Sequence, residues 1–515
     1  MREIELLALR DVPIAECPVV VGLFCADGAD AGPPALVAGR AAEAVRQHFG
    51  IDVAELARHQ PGFSGAAGQD ATLVVSTADA APVVFVVVGL GAQREFDAVA
   101  LREASACVAR AQRRAHVATT LALELADGDA AIRSVVEGIG LGDYRYAAPL
   151  GPDSGAGQAI AGALVVTESA VSDATVSRAR AMADAANWVR QLVETPSGAL
   201  GPAEFAAAIT AYAGEVAGGA VTVSVWSPDQ LRERGFAGTL GVGAGSDRAP
   251  CVVELRTGDT GGTGSAGQPI ALAGKGITYD SGGINLKKDP AELAWMKSDM
   301  AAGAAVAAAV IAAAALGATV PMTALVPVAE NMPGGRALRP GDVLTHPGGR
   351  TTEVVDTDCE GRLVLADAVA WLAGSAPRAI IDVGTLTDSG GVGPALWGCW
   401  STAPGLGAAV LEAGVRAGEP GWLLPLHPSY AQLLASRVAD AANAPNDVPD
   451  SGQLAATFLR PFAGATPWLH IDNGSCAYLE HGFSSWPAGA TGSPTRALIE
   501  FLCALTAEDA FPPVT

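Results

Sequence analysis

Between Asp356 and Arg362 the chain reads DTDCEGR, with Asp356, Asp358 and Glu360 at every second position. An extended segment points alternate side chains to one side, so this spacing predicts three converging carboxylates. Like charges repel at such range, and burial raises the cost. Two outcomes are open: a solvated turn between a strand and a helix, or a bound cation. A second polar cluster, AGKGITYDSGGINLKK, places Lys275, Asp280 and Lys287 in a glycine-rich run directly after an apolar strand. Ligands of α/β proteins sit at such strand ends. Asp299 then interrupts the start of an apolar helix, in WMKSDMAAGAA, and a buried acid needs a cationic partner. Asp280, Asp299, Asp358 and Glu360 form an oxygen-rich set of the kind that holds pairs of divalent cations, which clamp attacking and leaving oxygens in hydrolysis. Lys275 and Lys287 as plain ion-pair partners for these acids account for the same composition, and on composition alone the two readings stand level.

Other chemistries are excluded by inspection. None of the seven histidines is followed by Glu, so there is no HExxH zinc site. There is no Gly-x-Ser-x-Gly nucleophile elbow. PIALAGKGITYDSGG resembles a phosphate loop only superficially. Pro269 stands where the first Gly belongs, and Gly276 follows Lys275 where Ser or Thr is required.

The elements that must position these residues follow an α/β pattern. VVVGLF, PVVFVVVGLG and GALVVTES read as strands of a first region, and Ala100–Ala115 as an amphipathic helix with an Arg-rich face. A helix is predicted over Asp173–Val193, stopped by Pro196 and Gly198. Beyond it, TVSVWS, PCVVELRT, PIALAGKG, MTALVPVAE, TTEVVDT, RAIIDVGTL and WLHIDN read as strands with helices between them. RTGDTGGTGSAGQPI reads as a flexible surface loop. The expected organisation is a smaller N-terminal α/β domain over 1–172, a connecting helix over 173–196, and a larger domain over 197–515.

A chain of 515 residues is too long for one ordinary core, and positive mean hydropathy (+0.30) marks it as globular. The net charge of −22 argues against a general nucleic-acid binder and against an anionic membrane surface. Eight dispersed cysteines without a CxxC pair suit a reducing compartment, and the N-terminus lacks the pattern of a signal peptide. A cytoplasmic protein is therefore expected. The uncharged run Met300–Leu316 is short for a membrane span and mostly Ala, and it is expected to be a buried helix.

Lys275-Gly-Ile-Thr-Tyr-Asp280-Ser-Gly-Gly, Lys287, Met296-Lys-Ser-Asp299-Met and Thr357-Asp358-Cys-Glu360-Gly-Arg362-Leu resemble the leucyl aminopeptidase (cytosol aminopeptidase) family. Glu330-Asn-Met-Pro, Arg339-Pro-Gly-Asp, Asp382-Val-Gly-Thr-Leu-Thr387 and GATGSPTRALIEFL continue the resemblance in the family's order, over roughly residues 190 to 505. It implies an α/β/α catalytic domain with a mixed sheet. It also implies a metallo-aminopeptidase with two divalent ions per subunit, zinc, manganese or magnesium. Lys275, Asp280, Asp299, Asp358 and Glu360 would bind them, with Asp280 and Glu360 bridging. Lys287 would steady the oxyanion, and Arg362 would hold a bicarbonate that relays protons. Met296, Thr385, Asp388, Gly474 and Ala477 correspond to the pocket for the substrate's first side chain, with Asp356 nearby. The resemblance further implies a homohexamer acting on peptides or small aminoacyl compounds.

Three segments depart from the family pattern. Asp356 replaces a usual Asn, Asp388 replaces Gly in Thr-Leu-Thr-Gly, and Asp472-Asn-Gly-Ser475 replaces Asp-Ile-Ala-Gly. One extra residue also lies between Lys287 and Asp299. Besides a peptidase, a specialised hydrolase removing an aminoacyl group from one metabolite or conjugate fits these departures. A non-catalytic scaffold on the same fold is the third reading.

Overall fold

The computed structural model describes residues 3–26, 36–77, 80–112, 116–146, 162–258, 268–484 and 486–512. The chain forms two compact units, Met1–Asn187 and Trp188–Thr515. The helix Asp173–Glu194 carries the boundary within it.

The first unit is built on one sheet of seven strands: β1 (Glu3–Leu7), β2 (Val19–Cys25), β3 (Leu36–Ala38), β4 (Asp70–Thr77), β5 (Ala80–Ala92), β6 (His116–Thr119) and β7 (Gly162–Val166). Their order is β1-β7-β6-β2-β5-β4, with β3 on β2. The strands β1, β7, β6, β2 and β5 pair in parallel, and β4 closes the edge antiparallel. Parallel strands are covered on both faces, which is why β2 reads VVVGLFC without alternation. Two apolar clusters result, one around Val20, Phe24 and Leu101, the other around Val19, Val21 and Phe85. The expected Arg-rich helix spans Ala98–Ala111, with Arg113 and Arg114 outside the described residues. Its Arg102 is buried, not solvated: it pairs with Glu137 at 2.7 Å.

The second unit carries a mixed sheet of nine strands. These are β8 (Val221–Trp226), β9 (Cys251–Thr257), β10 (Ile270–Gly274), β11 (Gly276–Asp280) and β12 (Met322–Asn331), with further strands after β13 (Val343–Thr345) and β14 (Thr351–Glu353), which belong elsewhere. The later members are β15 (Ala379–Gly384), β16 (Trp397–Ser401), β17 (Gly421–Leu423) and, after the short β18 (Ala441–Ala442), β19 (Trp468–Asp472). The order is β17-β16-β19-β15-β10-β12-β9-β8, with β11 on β12. The central run β19-β15-β10-β12 is parallel, so these strands end on the same side of the sheet. The loop expected over RTGDTGGTGSAGQPI lies largely outside the described residues.

The helix Ala301–Ala315 is apolar all round and is buried along almost its whole length, as such a helix must be. The stretch Pro290–Ala315 is long and apolar enough to cross a membrane, but 89% of its apolar window is buried inside the protein. Its small residues let it approach the sheet closely. Gly303 N–H donates to Lys275 O at 2.7 Å, and a Cβ at Gly303 would lie 2.8 Å from that oxygen. Asp299 is thereby held at the end of β10.

The segment TTEVVDT is a strand only over Thr351–Glu353. The chain then leaves the sheet because a side chain takes the place of a neighbouring strand. Asn443 Oδ1 accepts the N–H groups of Val355 and Asp356, at 2.7 and 3.2 Å. Its Nδ2 donates to Asp356 O and Cys359 O, at 2.6 and 3.2 Å.

Candidate active site

Four strand ends build the site. Lys275 follows β10, Asn331 ends β12, Thr385 follows β15, and Asp472 ends β19. This is the carboxyl edge of the parallel strands, where open α/β sheets bind ligands.

Asp358 and Glu360 reach the site by a route other than strand alternation. Asp356 to Glu360 form a turn, and Glu360 stands with helical backbone angles at the start of the helix Gly361–Ala373. Within the turn the Asp356 carboxylate accepts the Asp358 N–H at 2.9 Å. Asp356, expected near the substrate, shapes this turn and is not among the residues that line the pocket. One carboxylate oxygen from each of Asp280, Asp358 and Glu360 falls within 4.8 Å of the others. Asp299 joins through Lys275, whose ammonium lies 2.9 Å from Asp299 Oδ1 and 2.7 Å from Glu360 Oε1. Lys287 lies 3.0 Å from Asp280 Oδ2 and 2.8 Å from Asp358 Oδ1.

The charge does not balance. Four carboxylates face two ammonium groups, leaving two negative charges in a largely buried cluster. Burial, and then Asp280 and Glu360, push Asp358 up to about 8 against the pull of Lys287. Burial likewise raises Asp299 and Glu360. Burial pulls both lysines down, but the surrounding carboxylates outweigh it and hold them above their ordinary values. Asp299 Oδ2 is buried with no hydrogen-bond partner among the described residues. Asp358 Oδ1 and Glu360 Oε1 meet the ammonium groups of Lys287 and Lys275 at 2.8 and 2.7 Å. An orphaned acceptor in a buried cluster with more carboxylates than ammonium groups fits divalent cations.

Residues not foreseen from the sequence hold this set in place. Asn331, buried, donates from Nδ2 to Asp280 Oδ1 at 2.7 Å and to Thr357 O at 3.0 Å. Its only sequence signal is its place in Glu330-Asn-Met-Pro. Thr385, expected as a pocket residue, also orients the cluster: its hydroxyl donates to Asp299 Oδ1 at 2.7 Å and its carbonyl accepts from Lys275 at 2.8 Å. Gly361 is required by proximity, since a Cβ there would lie 2.5 Å from Lys275 Nζ.

A cavity of about 360 Å³ opens onto the cluster. Lys275, Asp280, Lys287, Asp299 and Asp358 stand at its foot, and Met296, Thr385, Asp388, Gly474 and Ala477 line it, together with Glu292, Trp295 and Ser475. Asp388 is exposed within this lining. Glu360 and Arg362 are not among the lining residues. Arg362 is buried at the helix start and grips Asp450 with both terminal nitrogens; one of these also donates to Asn443 O at 2.7 Å. The Nη1–Nη2 edge of Arg362, the residue expected to hold bicarbonate, is occupied by a carboxylate of the chain, so its charge is already met without that ion.

The catalytic-domain model of the cytosol aminopeptidase family matches residues 187–499, and the N-terminal-domain model of the same family matches residues 20–148. The chain belongs to the cytosol aminopeptidase family and is a peptidase hydrolase of two domains. It is 40% identical over 496 residues to a probable cytosol aminopeptidase of Streptomyces coelicolor, covering 91% of this chain and 93% of that one. A probable cytosol aminopeptidase of Streptomyces avermitilis is 39% identical over 508 residues, with 95% and 96% covered. Among solved structures, the bottromycin maturation enzyme BotP in complex with Mn superposes with a TM-score of 0.78 at 33% identity, over 94% of this chain and 98% of that one.

Proposed function

We propose that this protein is a metal-dependent aminopeptidase that releases the N-terminal residue of peptides. Lys275, Asp280, Asp299, Asp358 and Glu360 would hold two divalent cations, with Asp280 and Glu360 serving both. The observation that carries this reading is the charge deficit at the foot of the cavity, where four carboxylates meet two ammonium groups. The manganese in the BotP complex supports manganese as one suitable ion, beside zinc and magnesium. When bound, such ions supply a water acidified towards neutrality and polarise the scissile carbonyl.

The chain's own residues do the rest. Lys275 serves as a ligand only as a neutral amine, which neighbouring cations favour by opposing the ammonium form. Lys287 stands at the cavity foot and would donate to the carbonyl oxygen as negative charge develops on it. Asp280, Asp299 and Asp358 line the cavity and attract a free α-amine, which restricts cutting to the N-terminus. Met296, Thr385, Asp388, Gly474 and Ala477 would surround the first side chain. A cavity of about 360 Å³ admits a residue and excludes a folded protein.

A panel of aminoacyl amides and dipeptides, assayed with zinc, manganese or magnesium, tests the proposal. Hydrolysis confined to unblocked N-termini is the expected result; equal cleavage of N-acetylated substrates would refute it. A second reading is a specialist that removes an aminoacyl group from one metabolite or conjugate. It is favoured by Asp388 in the cavity wall and by the likeness to a maturation enzyme. Strong hydrolysis across the simple panel would count against it. A cytoplasmic homohexamer completes the proposal. It rests on the family resemblance, and monomers in sedimentation would overturn the assembly.

A further inference from the structure

The structure assigns the anion position at Arg362 to the chain's own Asp450, and we infer that this protein hydrolyses its substrates without bicarbonate. The inference deepens the aminopeptidase reading above and rests on it. Arg362 is 1% exposed and has no access to bulk solvent for its charge. Asp450 meets it from 88 residues further along the chain, and both carboxylate oxygens are engaged. Oδ1 accepts from Nη1 at 3.0 Å, and Oδ2 pairs with Nη2. Cys359 Sγ lies 3.5 Å from the same Oδ2, and Nη1 also donates to Asn443 O.

A planar oxyanion binds arginine best at the forked edge of the guanidinium, through two parallel N–H bonds. That edge is taken. Nε, buried without a hydrogen-bond partner among the described residues, and the second N–H of Nη2 form the other edge, where an ion would be a second anion against a guanidinium that Asp450 already neutralises. A dissolved ion would have to displace a carboxylate tethered to the same chain, which competes at a much higher effective concentration. Binding beside it would instead place two anions against one guanidinium. Asp450 therefore neutralises Arg362 and positions its guanidinium, two residues from Glu360, as a permanent part of the protein. Its side chain is 25% exposed, so this carboxylate joins the buried arginine to water.

The experiment compares the metal-loaded wild-type protein with Asp450→Asn and Asp450→Ala in carbon dioxide-free buffer, with and without added bicarbonate. Hydrolysis rate and melting temperature are read in parallel. The wild-type protein is expected to ignore bicarbonate in both measurements. Asp450→Asn keeps the shape and loses the charge, so it should be slower without bicarbonate and gain several-fold in rate, and in melting temperature, when the ion is added. Asp450→Ala should respond in the same sense where it folds. A wild-type rate or melting temperature that rises with bicarbonate would overturn the inference, as would an Asp450→Asn protein indifferent to bicarbonate in both. Absence of hydrolysis in every protein would instead refute the aminopeptidase reading, while the melting temperatures would still decide the occupant of the anion position.

Discussion

Two buried acidic groups in the same catalytic unit are treated in opposite ways. Glu419 meets Arg496 Nε at 3.0 Å and accepts the Ala497 N–H at 2.9 Å, so one anion meets one cation and a backbone donor. Asp382, inside β15, is likewise met by His470 Nδ1 and Trp468 Nε1, both at 2.5 Å, from the neighbouring β19. At the strand ends four carboxylates share two lysines, and Asp299 Oδ2 has no donor among the described residues. Burial is common to all these acids. What separates them is whether the protein itself completes the charge and hydrogen-bond count. Paired acids hold the fold together, and a buried cluster with more carboxylates than cations is where a metal ion fits.

The largest effect that could break this contrast is metal removal. Chelation should abolish hydrolysis and added divalent metal should restore it; full activity in strictly metal-free protein would end the distinction. Glu360→Ala should lose at least one ion by elemental analysis. Next comes Lys287→Ala, which should lower turnover by about 10²–10³, the usual cost of one oxyanion donor, with both ions retained. Loss of metal in that variant would move Lys287 from catalysis to structure.

The completed groups should respond differently. Glu419→Ala leaves Arg496 buried without its carboxylate and should cost about 3–5 kcal/mol in urea unfolding, with metal content unchanged in the folded fraction. The specificity of the incomplete site comes next. Asp388→Gly should shift preference from Arg towards Leu substrates by about 1–3 kcal/mol in transition-state binding, read as the ratio of specificity constants. An unchanged ratio would remove Asp388 from substrate choice. The smallest effect is the sharpest. In the chelated protein Asp358→Asn removes one of four crowded carboxylates and should raise the melting temperature, the expected gain in stability being on the order of 1 kcal/mol above pH 8, where Asp358 is charged. A lower melting temperature would mean that the cluster is already balanced.

Much of this was legible in the residues. The parallel β-α alternation was readable because buried parallel strands are continuous apolar runs. The four acids and two lysines that meet at the strand ends stand in short motifs, so types and spacing betrayed them. Side-chain direction was another matter. Alternation along DTDCEGR suggested three carboxylates on one side, but the segment is a turn, and Asp356 bonds back to Asp358 N–H. The cause, Asn443, lies 87 residues away from Asp356, where no local pattern points to it. The pairing of Arg362 with Asp450 was hidden for the same reason, 88 residues apart. Asn331 was invisible as a ligand-orienting group because a neutral amide carries no electrostatic signature in a sequence.

Gly361 opens the helix that follows Glu360, and a methyl group there would collide with the Lys275 amine. Alanine is the better helix former by roughly 1 kcal/mol, so secondary-structure preference alone would select it. The position therefore sets helix propensity against the close approach of Lys275. It also offers an isoelectric lesion. Gly361→Ala replaces no charged group, yet it forces Lys275, itself a proposed ligand, away from Glu360 and Thr385. Such a protein would keep the surface of its parent while the Lys275 amine is lost from the cluster, a lesion made by one buried methyl group.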